Sequence, residues 1–147
     1  MNEVNINRFP SKWIPCSVYV LGSSDYNQSG IPFEEPYLNH YMYNKEAREH
    51  DKILLKPTCL NLKPYLLRVV CGSMHTLAIA SDGELYSWGC NDDGALGHAG
   101  SGISPEKVDI PTPVLQVSAG DNHCLAIAIK NKKRNVYFWG SFRVRVT

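Results

Sequence analysis

No stretch of this chain approaches the ~20 consecutive apolar residues needed to span a bilayer, and no secretory leader pattern precedes Trp13. A membrane is therefore not among the expected partners. An excess of charge of one sign is lacking too. Fifteen Lys and Arg against 14 Asp and Glu leave a formal net charge of +1, so no global field steers the chain toward nucleic acid. Among the first 13 residues the only cations are Arg8 and Lys12, which is not a basic tail. The five cysteines (Cys16, Cys59, Cys71, Cys90 and Cys124) are odd in number and lack framework spacing. They point to reduced, mostly buried thiols in a nuclear or cytosolic protein. There is no Gly-x-Ser-x-Gly nucleophile elbow and no Gly-Lys-Ser/Thr phosphate loop. Cys71, His75, His123 and Cys124 lack the paired spacing of zinc ligands, so no metal is expected. Helical periodicity is almost absent as well.

What the chain does have is repetition. Val70-Cys71-Gly72-Ser73-Met74-His75-Thr76-Leu77-Ala78-Ile79-Ala80 returns 48 residues later as Ser118-Ala119-Gly120-Asp121-Asn122-His123-Cys124-Leu125-Ala126-Ile127-Ala128. Each copy is followed by a polar turn and an aromatic-Gly strand, first Leu85-Tyr86-Ser87-Trp88-Gly89 and then Val136-Tyr137-Phe138-Trp139-Gly140. A third such strand, Val18-Tyr19-Val20-Leu21-Gly22, stands near the N-terminus. Self-similarity at this period marks a repeat architecture.

The unit reads as strands and turns. Leu77-Ala78-Ile79-Ala80 and Leu125-Ala126-Ile127-Ala128 are short apolar runs suited to strands buried on both faces. Ser81-Asp82-Gly83-Glu84 supplies the positive-φ residue of a hairpin turn. Beyond the aromatic strand lies a polar, Gly-rich loop, Cys90 to Gly97, and later a return strand, Val114 to Val117. Roughly fifty residues, four strands and one Gly/aromatic signature per unit describe a propeller blade. The expected fold class is all-β, a partial propeller. Residues 1–16 read as an N-terminal segment and 17–147 as propeller, in units of about 17–84, 85–135 and an opening strand at 136–147.

These motifs resemble those of the regulator of chromosome condensation family. The resemblance rests on Gly72-Ser73-Met74-His75-Thr76, on Cys90 to Gly97, and on Val117 to Asp121 running on to Trp139-Gly140-Ser141-Phe142-Arg143. It implies a seven-bladed propeller. Within the family it is strongest to chromatin-bound exchange factors for the small GTPase Ran. It further implies a nuclear location at chromatin, with the cytoplasm also open, and histones and DNA as partners of the full-length protein. No cofactor is implied, and catalysis would be non-covalent. In such members the acid corresponding to Asp121 faces Ran, Asp25 matches another loop acid, and Arg143 leads into a wedge that enters the GTPase. Gly72, His75, Gly120, His123, Trp88, Gly89, Trp139 and Gly140 match the structural repeat. The family also contains non-catalytic interaction propellers within ubiquitin ligases, which is the alternative reading.

A seven-bladed ring of such units needs roughly 350 residues, so 147 residues fit about two blades and suggest a piece of a longer protein. The first unit is long: Tyr19 to Tyr86 spans 67 residues against 51 from Tyr86 to Tyr137. The excess lies within 32–64, read as a surface loop or a partner-binding loop with three tyrosines, and Asn44 is a candidate helix cap there. His75 and His123 occupy one position of the unit, either holding the turn by hydrogen bonding or facing the GTPase. Lys130 to Arg134 is a basic hairpin, either solvated or able to touch phosphate. Asp121 stands where the first copy has Ser73, so the repeat needs no carboxylate there and a functional role is expected.

Overall fold

The computed structural model describes residues 18–34, 36–37, 41–43 and 52–141. Among these every regular element is a strand: β1 (Val18–Ser23), β2 (Tyr41–Tyr43), β3 (Lys52–Leu60), β4 (Leu66–Cys71), β5 (His75–Ala80), β6 (Leu85–Gly89), β7 (Glu106–Lys107), β8 (Val114–Ala119), β9 (His123–Lys130) and β10 (Lys133–Gly140). They form three antiparallel sheets in the orders β1-β3-β2, β4-β5-β6-β7 and β8-β9-β10.

The sheets do not share the boundaries of the sequence repeat. Unit edges at 84/85 and 135/136 fall inside the β5–β6 and β9–β10 hairpins, so hydrogen bonding groups each aromatic strand with the two strands before it. The described residues hold three sheets, one of four strands and two of three, where the repeat suggested about two blades. The reason is segment 32–64. Rather than a surface loop throughout, it contains β2 and β3, with β3 in the centre of the first sheet and Leu54 and Leu60 in the core. Pro57 and the polar residues around it hid that strand from an apolar-run reading. Asn44 lies outside the described residues.

Period-two alternation decides which faces pack. Ala78, Ala80 and Trp88 pack with Leu54, Leu60 and Ile31 of the first sheet region, while Leu77, Ile79 and Leu85 pack with Val114, Val117, Cys124, Ala126 and Ala128 of the third. Strand β5 is therefore buried on both faces, as its sequence suggested. Its counterpart β9 is covered on one face only. Leu125 and, across the hairpin, Val136 and Phe138 are exposed, at positions equivalent to Leu77, Leu85 and Ser87. The outer face of the first sheet shows Tyr19 and Leu21 in the same way.

Turn chemistry follows the residues. Asn131 and Lys132 both take positive φ, 53° and 62°, which makes the two-residue β9–β10 connection a type I′ hairpin. In the β5–β6 turn Gly83 has φ +83°, and its N–H donates to Ala80 O at 3.0 Å.

Candidate functional site

The Gly-x-x-His segments build one edge of the sheets. In each copy the backbone closes the turn: Gly72 N donates to His75 O, and Gly120 N to His123 O, both at 2.8 Å. Glycine is required because the histidine ring lies against it. A Cβ at Gly72 would run into the His75 ring and sit 2.6 Å from Gly120 O. His75 is only 2% exposed, and its Nε2 reaches 3.0 Å across to Cys124 Sγ of the third sheet. The Cys124 thiol also lies 3.3 Å from Ala95 O, so the sulfur sits between the imidazole and a backbone carbonyl. Burial holds the His75 imidazole below its usual range, opposed by the charge of Asp121 and reinforced by His123. Burial pushes the Cys124 thiol up to about 12, which keeps it protonated and unreactive at neutral pH. Glycines Gly89 and Gly140 end their strands against the same turns, where a Cβ would meet the carbonyls of Met74 and Asn122.

Both tryptophans are held alike. Trp88 Nε1 donates to Gln28 O at 3.0 Å, and Trp139 Nε1 donates to Ala95 O at 2.8 Å. Each acceptor lies two residues before a positive-φ glycine, Gly30 or Gly97, whose Cβ would fall within 2.9 Å of the indole nitrogen. The loop after one aromatic strand thus seats the tryptophan of the next sheet. The residue after each histidine uses the same carbonyls: Thr76 Oγ1 donates to Gln28 O at 3.4 Å, as Cys124 does to Ala95 O. Trp88 is fully buried and Trp139 is half-buried, in keeping with the uncovered outer face of the third sheet.

The acids lie along this same edge. Asp121 is exposed on the β8–β9 turn. Asp25 is half-buried, with both oxygens engaged: Oδ2 accepts from Ser23 Oγ and Oδ1 from Lys52 N, each at 2.8 Å. It ties the loop after β1 to the start of β3, which a lone loop acid in the sequence did not reveal. Asp92 and Asp93 are exposed on the loop after β6. Arg143 lies outside the described residues. Asp25 and Asp121 share an edge but sit on the first and third sheets. Among the described residues, no group of three or more His, Cys, Asp or Glu converges as metal ligands would. The basic run Lys130 to Arg134 is at the opposite ends of the strands.

A turn glycine under a histidine, a tryptophan seated on the preceding loop and a blade-like sheet recur together in this chain. Models of the regulator of chromosome condensation repeat match residues 82–127 and 68–95. The chain carries regulator of chromosome condensation repeats. It is 40% identical over 133 residues to a human protein named Regulator of chromosome condensation, an alignment covering 88% of this chain and 27% of that one. It is 36% identical over 84 residues to the human E3 ubiquitin-protein ligase HERC2, covering 52% of this chain and 2% of the ligase. Among solved structures it resembles Prp20p of Saccharomyces cerevisiae, with a TM-score of 0.64 and 25% identity over 89% of this chain and 30% of that one. The chain thus spans less than a third of these relatives, and its sheets match part of the regulator of chromosome condensation propeller fold.

Within the repeat frame, two features escaped the sequence reading. One is the His75–Cys124 bridge, in which Cys124 replaces the threonine of the first copy. The other is Asn122, whose Nδ2 donates to Asp93 Oδ2 at 2.5 Å. The signal for both was the mismatch between aligned copies.

Proposed function

We propose that this chain is part of a chromatin-associated guanine nucleotide exchange factor for a Ran-type small GTPase, acting in the nucleus. The observation that carries the reading is 40% identity across 88% of the chain to the human Regulator of chromosome condensation. It is supported by Prp20p, whose structure was described with its binding properties to Gsp1p and histones. In this reading Asp121, Asp25 and Arg143 face the GTPase, and histones and DNA are partners of the whole protein. Asp121 fits the role best, because it is an exposed carboxylate on a turn whose equivalent carries Ser73.

The chemistry is linkage rather than bond making. A factor that binds the nucleotide-free GTPase most tightly lowers its affinity for nucleotide and Mg²⁺ by the same coupling free energy. The nucleotide is otherwise released slowly, since many charge-assisted contacts must break together. Acids presented by the propeller edge stabilise the partly broken state, as any catalyst stabilises a transition state. GDP, GTP and Mg²⁺ belong to the GTPase, and the factor needs no cofactor of its own.

Similarity to HERC2 favours a second reading, a non-catalytic interaction propeller. Release of a fluorescent GDP analogue from the GTPase by the full-length protein separates the two. The exchange reading expects acceleration, and it expects Asp121→Ala to slow release while shifting the melting temperature little. Absence of acceleration by any form leaves the scaffold reading standing alone.

A further inference from the structure

We propose that Asn122, paired with Asp93, is a positioning residue for Asp121, clamping the turn that presents this acid; the proposal rests on the exchange reading above. Asn122 follows Asp121 directly on the β8–β9 turn and makes hydrogen bonds in two directions. Its Nδ2 donates to Asp93 Oδ2 at 2.5 Å, joining the third sheet's turn to the second sheet's loop. An ionised carboxylate can only accept, so it is the amide nitrogen that faces Asp93. The Asn122 carbonyl accepts from Ser141 N at 2.8 Å, two residues before Arg143. One residue therefore ties the turn to the loop before it and to the chain leaving β10.

The repeat shows which half of this clamp the fold requires. At the equivalent turn Met74 O accepts from Cys90 N at 2.8 Å, so the backbone half is common to both sheets. The side-chain half is not. The Met74 side chain has no N–H to give, and the position in the preceding loop that corresponds to Asp93, counted from Gly22 as Asp93 is from Gly89, holds Tyr26. The junction between the first and second sheets forms without an Asn–Asp pair. The pair occurs at the junction whose turn also carries an acid in place of Ser73. The pair also has a place to act, because Asp92, Asp93 and Asp121 are all exposed on this edge. A neutral amide held on Asp93 fixes that carboxylate beside the turn, so Asp121 projects from a defined backbone.

The test exchanges donor and acceptor. Asn122→Asp sets two carboxylates against each other, whereas Asn122→Asp with Asp93→Asn restores one hydrogen bond with reversed roles and the same net charge. In the GDP-analogue assay on the full-length protein, the single variant should lower the maximal release rate about tenfold, short of the ~100-fold that a 1 Å misplacement can cost. The GTPase concentration at half-maximal rate should change less than about twofold, and the double variant should recover most of the maximal rate. A merely structural role would move the melting temperature without this split. Amide hydrogen exchange of residues 120–122 and Ser141 in the free protein should speed up in the single variant and slow again in the double. If the wild type accelerates release and the double variant fails to recover, the positioning role is overturned. If the wild type does not accelerate release, the exchange reading itself fails, and unchanged amide exchange in the single variant then overturns the clamp as well. Amide protection that is lost in the single variant and regained in the double keeps the clamp as the device that fixes the Asp121 turn.

Discussion

Replacing Gly72 with alanine tests the central packing claim, that a histidine ring occupies the space where a side chain would begin. The backbone at Gly72 is not in the left-handed region, so alanine brings no conformational penalty there. The cost is steric. The added methyl would overlap the His75 ring and lie 2.6 Å from Gly120 O. Gly120 O belongs to the next sheet, so the ring must yield, and any shift takes Nε2 away from Cys124 Sγ at 3.0 Å. Overpacking a well-packed site costs about 1–3 kcal/mol, and the lost hydrogen bond adds about 1 kcal/mol. Gly72→Ala should therefore destabilise by about 2–4 kcal/mol. With a urea m-value of ~1.5 kcal/mol/M, the midpoint falls by about 1.3–2.7 M. Tryptophan fluorescence during urea unfolding reads this directly, since Trp88 and Trp139 flank the junction. Gly94→Ala is the matched control: φ is +73° and nothing lies within 4 Å, so only a backbone strain of about 1 kcal/mol remains. On a His75→Ala background the Gly72→Ala cost should shrink, with the Gly120 O contact keeping it above zero. If Gly72→Ala costs no more than Gly94→Ala, or costs the same with the ring removed, the ring does not explain the Gly-x-x-His motif.

Acid should weaken the same junction. The folded-state pKa of His75 lies below its usual value of 6.5 because of burial, so between those two pKa values the unfolded chain binds more protons than the folded one. Stability is therefore retained above pH 6.5 and falls as pH drops from 6.5 toward the folded-state value. Thermal melts from pH 7.5 downward should show this slope, and His75→Gln should flatten it. At the β9–β10 hairpin, Lys132 holds a φ of 62° in a type I′ turn that favours Asn-Gly. Lys132→Gly should raise stability by about 0.5–1 kcal/mol, measured as a higher urea midpoint.

The legible parts of the fold were those with local chemistry. Asp82-Gly83 and the two apolar runs announced hairpins and core strands, and the repeated Gly-x-x-His and aromatic-Gly segments announced blades. Strand β3 was missed because its pattern is broken by Pro57 and by polar residues, and because its partner β1 lies some thirty residues away. Its pairing is a long-range matter that no local window encodes. The uncovered face of β9 was equally invisible: Leu125-Ala126-Ile127-Ala128 and Leu77-Ala78-Ile79-Ala80 read alike, and only packing distinguishes them. Asp121 was legible as an oddity within the repeat. The engaged state of Asp25 was not, since its partner Lys52 N is 27 residues away.

Repetition turns this chain into its own control. Where the copies agree, as at Gly72 and Gly120 or Trp88 and Trp139, the structure shows the same contact twice, and packing accounts for the residue. Thr76 and Cys124 differ yet address equivalent carbonyls, so that difference is absorbed within the core. Ser73 and Asp121, Met74 and Asn122, and Tyr26 and Asp93 differ in another way. Both members of the first pair are exposed on turns, and the Asn122–Asp93 bond has no counterpart that the other junction could make with Met74. Three departures converge on one turn, each adding charge or a polar contact that the fold does without elsewhere. The first junction forms with Ser73, Met74 and Tyr26 at the equivalent positions, without a carboxylate or an amide clamp there. Packing of the sheets does not call for them at the second, and the exchange reading proposed above gives them a task at the exposed edge.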